Sequence, residues 1–254
     1  MKRTLSAVIL CCVCTFSWAY QLNVDTYQRN LYFNAGGGYS LNRVEGDSHL
    51  GAGMGWPADH YSVTGISDTP FIMGGFGYMW DRSNTWLPSQ SLGVRFMLTQ
   101  AAKITGYIDQ YTLPEFRNYI YSYDVSLFNI LGIYKLDIVS FNNFMPFVTI
   151  GAGLSTANMS SYTEMAPSNV TPRVNPQFND NMSFNLAYLV GAGIDWAMRD
   201  DVWVNLEFDY ANYGMVYTGK GENYTSQTGN FNNEWLKNKL AATSIFLGLT
   251  FYPA

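Results

Sequence analysis

Val202-Trp203-Val204-Asn205-Leu206-Glu207-Phe208-Asp209-Tyr210 is the stretch that decides the fold. Val202, Val204, Leu206, Phe208 and Tyr210 alternate with Trp203, Asn205, Glu207 and Asp209. A period of two places the sets on opposite faces of a β-strand. A soluble sheet turns its apolar face to a core and its polar face to water. A membrane-spanning barrel turns the apolar face to lipid and the polar face to its lumen. The rest of the chain separates these two readings.

The N-terminus sets the compartment. Met1-Lys2-Arg3 is a basic start, Leu5 to Phe16 an apolar run, and Ser17-Trp18-Ala19 supplies small residues before a cut. Residues 1–19 are therefore expected to be a secretory signal peptide, leaving 20–254 as one domain. The run is shorter than the ~20 residues of a membrane-spanning helix. Cys11 follows Leu10 and Cys14 follows Val13, which is no lipobox context. Cys11, Cys12 and Cys14 all lie in this segment, so the exported chain is expected to hold together without disulfides or cysteine-bound metal.

Charge excludes further classes. The chain has 14 basic and 19 acidic residues; without Lys2 and Arg3 the ratio is 12 to 19. No basic stripe for nucleic acid exists. Charged residues make up 13% and aromatic residues 17%. No apolar run of helical membrane-spanning length follows the signal peptide. Few charges with many Tyr, Phe, Gly and Asn suit a membrane β-barrel or a secreted all-β domain.

Working outward from residues 202–210, eight β-rich segments are expected, near 31–44, 71–81, 91–107, 120–136, 145–156, 184–197, 202–213 and 242–252. Phe184, Leu186, Tyr188, Val190, Ala192, Ile194 and Trp196 share one face of the sixth. Ile245, Leu247, Leu249 and Phe251 share one face of the eighth, and Val148, Ile150, Ala152 and Leu154 one face of the fifth. The fourth segment shows no clear phase. Long connections (45–70, 157–183, 214–241) alternate with shorter ones (82–90, 137–144, 198–201), and 108–119 takes a long-loop place in the order. Such alternation is the habit of bacterial barrels, with short periplasmic turns and long external loops. Glycine pairs recur: Gly151 and Gly153, Gly191 and Gly193, with glycine runs at 36–38 and 74–77. Glycine at i and i+2 on an inner face makes room for bulky side chains from across a narrow lumen.

Together these features resemble the small eight-stranded outer-membrane barrels, the OmpA-like and opacity-type surface protein family. The residues that carry the resemblance are Tyr32-Phe33-Asn34-Ala35-Gly36-Gly37-Gly38-Tyr39 and Pro146 followed by Val148-Thr149-Ile150-Gly151-Ala152-Gly153. Val190-Gly191-Ala192-Gly193-Ile194-Asp195 and Leu206-Glu207-Phe208-Asp209-Tyr210, on either side of a tight turn at Arg199 and Asp200, add to it. The closing Phe246-Leu247-Gly248-Leu249-Thr250-Phe251-Tyr252 is similar to the assembly signal of such barrels, although the chain ends in Pro253-Ala254. The resemblance covers nearly all of the exported chain. It implies an eight-stranded antiparallel up-and-down transmembrane β-barrel in a Gram-negative outer membrane. It also implies the barrel assembly machinery as a partner, reading Phe246, Gly248, Phe251 and Tyr252.

Site residues follow from the alternation. Leu186, Val190, Ile194, Val204, Leu206, Phe208, Leu247 and Leu249 are expected to face lipid. Arg95, Asp195, Glu207 and Asp209 fall on the polar faces and are expected to form a charge network in the lumen, since a buried charge needs a partner. Tyr78, Trp80, Tyr188, Trp196, Trp203, Tyr210, Phe251 and Tyr252 are expected in interfacial girdles. His49 and His60, the only histidines, share the first long connection with Asp47, Ser48 and Asp59, neighbours in sequence alone. They are read as solvated loop residues rather than catalytic bases or metal ligands. Asn158, Asn169, Asn181 and Asn223 sit in glycosylation-like sequons and are read as plain polar loop residues. Rossmann, P-loop and zinc signatures are absent: the glycine runs lie inside strands and precede no helix.

No cofactor, metal or catalytic group is expected. The expected function is a non-enzymatic outer-membrane surface protein, acting in envelope integrity, adhesion or host contact through its loops. The alternatives are a narrow porin or carrier for small or apolar solutes, and a soluble periplasmic β-barrel binder.

Overall fold

The computed structural model describes residues 31–50, 57–81, 89–170, 177–222 and 234–253; the expected signal peptide lies outside the described residues. Eight antiparallel strands close on themselves. Strand β1 runs Leu31–Glu45 and resumes, past Gly46, over Asp47–Leu50. Gly46 has φ +139°, a conformation that suits glycine alone. Strand β2 comprises Asp59–Ile66 and Thr69–Asp81, and β3 comprises Ser89–Thr99 and Ala102–Asp109. Then come β4 (Arg117–Asp137), β5 (Phe144–Met165), β6 (Asn181–Ala197), β7 (Val202–Tyr217) and β8 (Lys237–Phe251).

Each strand pairs with its neighbours in sequence, and the ring shuts where β1 meets β8. That seam is continuous from Phe33 opposite Phe251 to Glu45 opposite Lys239. Closure leaves the ring no unpaired edge, which a sheet standing in lipid requires.

The short connections 138–143 and 198–201 lie at one end, together with Leu31 and the end of β8. The strand ends that flank the connections 51–58, 110–116, 166–180 and 218–236 lie at the other. By the barrel rule the first end is periplasmic and the second extracellular. In the extracellular connection from β3 to β4, two short 3₁₀ turns, Gln110–Thr112 and Pro114–Phe116, replace open loop. A second, two-stranded sheet pairs Gln177–Phe178 with Gly221–Glu222 at this end.

The strands are longer than a membrane needs. β4 has 21 residues and β5 has 22. A tilted strand crosses the hydrocarbon in about 9–11 residues. The barrel wall therefore continues well beyond the bilayer on the extracellular side. Much of what reads in sequence as long loops is this wall: Asp47–Leu50 and Asp59–Ile66 pair as a hairpin, and β5 runs on to Met165. The register shifts, between Val63 and Gly65, Ile108 and Asp109, Ser122 and Asp124, and Asn212 and Gly214, all fall in this outer half. The membrane-crossing half has an unbroken ladder.

The fourth strand's phase is now plain. Tyr119, Tyr121, Tyr123, Val125, Leu127, Asn129, Leu131 and Ile133 point inward and are buried, while Ile120, Phe128 and Ile130 point outward. The inner-face glycines make room, as the narrow lumen demands. A Cβ on Gly193 would sit 2.5 Å from Cζ of Phe147, and one on Gly191 would sit 3.2 Å from Oε1 of Glu207.

Candidate functional site

The outer surface carries an apolar belt. Leu186, Val190, Ile194, Leu206, Phe208, Leu247 and Leu249 are exposed, Leu186 at 81% and Leu247 at 60%. Val204 is half-buried on the same face. Ile72, Leu92, Leu98, Ile150, Leu154 and Phe184 extend the belt around the ring. Tyr78, Tyr188, Trp196, Tyr210 and Phe251 are exposed with it. On β1 the belt runs from Leu31 to Leu41, and the exposed positions then turn charged at Arg43 and Glu45; Lys103 on β3 and Lys239 on β8 mark the same change. Ten residue steps of a tilted strand span about 25 Å, the height of an outer-membrane apolar band.

Two of the expected girdle residues point the other way. Trp203 and Tyr252 are buried inside the barrel and join Tyr32 and Met79 in a cluster at the periplasmic mouth. The ring centroids of Trp203 and Tyr252 are 4.8 Å apart. The alternation explains this: Trp203 shares its face with Asn205 and Glu207, and Tyr252 follows the outward Phe251. Phe246 is likewise inward and buried.

Above that cluster lies a polar layer. Arg95 on β3 reaches across to β7, where Nη2 is 2.6 Å from Oε2 of Glu207 and Nη1 is 3.2 Å from Oε1. This is a bidentate, charge-assisted pair. Nη1 of Arg95 is also 3.6 Å from Oδ2 of Asp209. All three residues are buried. Asp195 does not join them. Its partner is Lys135 on β4, which sequence reading missed because the phase of that strand was not legible. Lys135 is also 3.9 Å from Asp137, and Asp137 accepts a hydrogen bond from Ser89. The Lys135 Nζ sits 4.2 Å from the ring centroid of Phe147. The layer thus holds two cations against four carboxylates. A cavity of about 30 Å³ lies among Arg95, Lys135, Glu207, Asn205, Asn34 and Tyr32.

Towards the outside, the lumen becomes apolar and then aromatic. Phe71, Met73, Met97, Leu127, Leu131, Leu240 and Phe246 are packed together. Tyr61, Tyr121, Tyr123, Tyr162 and Phe178 stack and tilt against one another above them. In this outer part, burial pushes the Tyr121 hydroxyl well above its ordinary range.

A closed antiparallel ring with an exposed apolar belt and a filled, charge-bearing lumen defines the class: this is a β-barrel of the bacterial outer membrane. No family model matches the sequence, and no curated protein matches it either. Solved structures similar to it include Neisserial surface protein A, at 12% identity over 88% of this chain and 97% of that one, TM-score 0.49. The outer membrane protein OprG from Pseudomonas aeruginosa is similar at 13% identity, 90% and 98% coverage and TM-score 0.43. The outer membrane protease OmpT from Escherichia coli is similar at 10% identity, 91% and 99% coverage and TM-score 0.44. At such values the class rests on the closed ring and its belt.

Proposed function

We propose that the protein is a non-enzymatic surface barrel, a closed stave set in the outer membrane that carries a tall wall and four connections outward. The filled lumen supports this reading most directly. The Trp203–Tyr252–Tyr32 cluster, the Arg95–Glu207 layer and the tyrosine stack place buried side chains at three levels of the lumen. An eight-stranded interior is about filled by side chains. The parts left to meet a partner are then the extracellular wall and its connections, in envelope contact, adhesion or contact with a host surface. The last strand, with Phe246, Gly248, Phe251 and Tyr252, is proposed as the segment that the barrel assembly machinery reads. A soluble periplasmic barrel fits poorly, because it would not expose Leu186, Leu247 and Phe184 in one belt.

Planar-bilayer recording on the purified barrel tests the proposal. The expected result is no steady conductance from the wild-type protein. Regular unitary steps in the absence of any substitution would instead favour the narrow pore. The cavity beside Arg95 and Glu207 is the one feature that speaks for that second reading.

A further inference from the structure

The two histidines, on the extracellular part of the wall, are brought together by strands that the sequence pattern shows as loop. Antiparallel pairing of β1 with β2 sets His49 opposite His60. Their rings are stacked, with centroids 4.7 Å apart and planes 18° apart. Asp47 lies two residues before His49 on the same strand face, and its Oδ2 is 3.7 Å from Nε2 of His60. On the other side, Nδ1 of His60 is 3.6 Å from Oδ2 of Asp109. Asp109 is buried opposite His60 in the β2–β3 register. Arg117 fixes it through hydrogen bonds of 2.8 Å and 3.2 Å, which hold the Asp109 carboxyl below the usual carboxylate range.

We propose that His60, His49 and Asp47 form a capture site for a divalent transition-metal ion of the zinc class on the extracellular wall. The distances suit an ion better than a direct contact. At 3.7 Å, His60 Nε2 and Asp47 Oδ2 are too far apart for a hydrogen bond. Zinc bonds of about 2.0–2.1 Å in tetrahedral array put neighbouring ligand atoms about 3.4 Å apart. A ligating imidazole characteristically gives its other N–H to a carboxylate, which orients the ring and raises its basicity. Asp109, anchored by Arg117 and 3.6 Å from Nδ1, is placed to accept that N–H after a shift of the ring by about half an ångström, and it leaves Nε2 for the ion. Among the described residues no three such groups converge in the resting geometry. Binding must therefore turn His49 out of its stack, and the exposure of His49 permits this. The bound ion would tie the end of β1 to the start of β2 and keep one position open to water or to an external ligand.

The test uses the full exported chain, folded in detergent and free of any affinity tag. Calorimetric titration with Zn²⁺ alone is expected to show one saturable site per chain. His49→Gln together with His60→Gln is expected to abolish it. Asp109→Asn is expected to weaken it by about 10–100-fold, the effect of losing an orienting carboxylate. Each variant is first checked for wild-type heat-modifiable migration on a gel. Electron paramagnetic resonance of the wild type with Cu²⁺, which the same ligands should bind more tightly, needs no variant. It should show coupling to two imidazole nitrogens. Absence of saturable binding by the wild type, binding unchanged in the double variant, or a copper spectrum with fewer than two imidazole nitrogens would each overturn the proposal.

Discussion

Replacing Arg95 by alanine is expected to destabilise the barrel by about 3–5 kcal/mol, the characteristic cost of breaking a buried ion pair. The cost comes from what remains. Glu207 and Asp209 would keep their places inside the wall with no guanidinium between them, and both are buried. Coulomb repulsion in a lumen of low dielectric then acts without an offset. Glu207→Gln should cost less, because Asp209 still stands 3.6 Å from Arg95. Replacing both partners by apolar residues of similar volume, Arg95→Met with Glu207→Met, should recover much of the loss, since a well-packed apolar pair can match a buried ion pair. Urea unfolding in detergent of the wild type, Arg95→Met, Glu207→Met and the double Met variant, followed by heat-modifiable migration, completes the cycle. A cycle with no coupling between positions 95 and 207 would show that the pair does not hold the lumen together. Arg95→Ala has a second expected consequence. Only Lys135 would remain as a cation among the four carboxylates, so any leak the substitution opens should pass cations in preference to anions.

Leu247→Arg carries the next largest expected effect, a loss of about 2–4 kcal/mol, because it places a charge near mid-belt against lipid. Leu247 is outward and 60% exposed, so nothing inside the barrel can shelter the guanidinium. Thr243→Arg is the control. It lies one outward step beyond Ile245, opposite Leu41 on β1, at the upper edge of the belt. There the cost should fall to about 0–1 kcal/mol. Folding yield and urea midpoint in lipid vesicles separate the two. Equal tolerance would mean that the belt does not stand in hydrocarbon.

The eight-stranded ring was legible in the sequence because lipid outside and a polar lumen inside leave an alternating pattern wherever a strand crosses the membrane. Residues 202–210 and 184–196 show it cleanly. The pattern fades where the wall leaves the bilayer. On Thr156–Met165 the outward positions include Asn158, Ser160 and Thr163, polar like a loop, yet they are strand. The same loss of contrast hid Asp47–Leu50 and Asp59–Ile66, and with them the meeting of His49 and His60. β4 was illegible for a different reason. Its inward face carries Tyr121, Tyr123, Val125, Leu127 and Leu131, and its outward face Phe128, Ile130 and Tyr134, so both faces are apolar and neither marks the lumen. Lys135 was lost with that phase. Arg95 and Glu207 could be placed opposite each other because three strands on either side separate nothing but the lumen. That Asp195 would turn to Lys135 depends on depth, which tilt and shear set and no local pattern records.

Closure of the ring between β1 and β8 is most directly tested by cysteine cross-linking across that seam. Ala35 and Leu249 are register partners on the outward face, and Ile194 and Leu206 are partners within the β6–β7 hairpin. Paired strands bring such residues to about 4.5–5.5 Å between Cα atoms, within the reach of a disulfide. Outer membranes from cells that express Ala35→Cys with Leu249→Cys should yield, on mild oxidation, a reducible cross-link within one chain as efficiently as Ile194→Cys with Leu206→Cys. If the hairpin pair cross-links and the seam pair does not, or if the seam pair links only separate chains, the sheet is open and the protein is not a closed barrel.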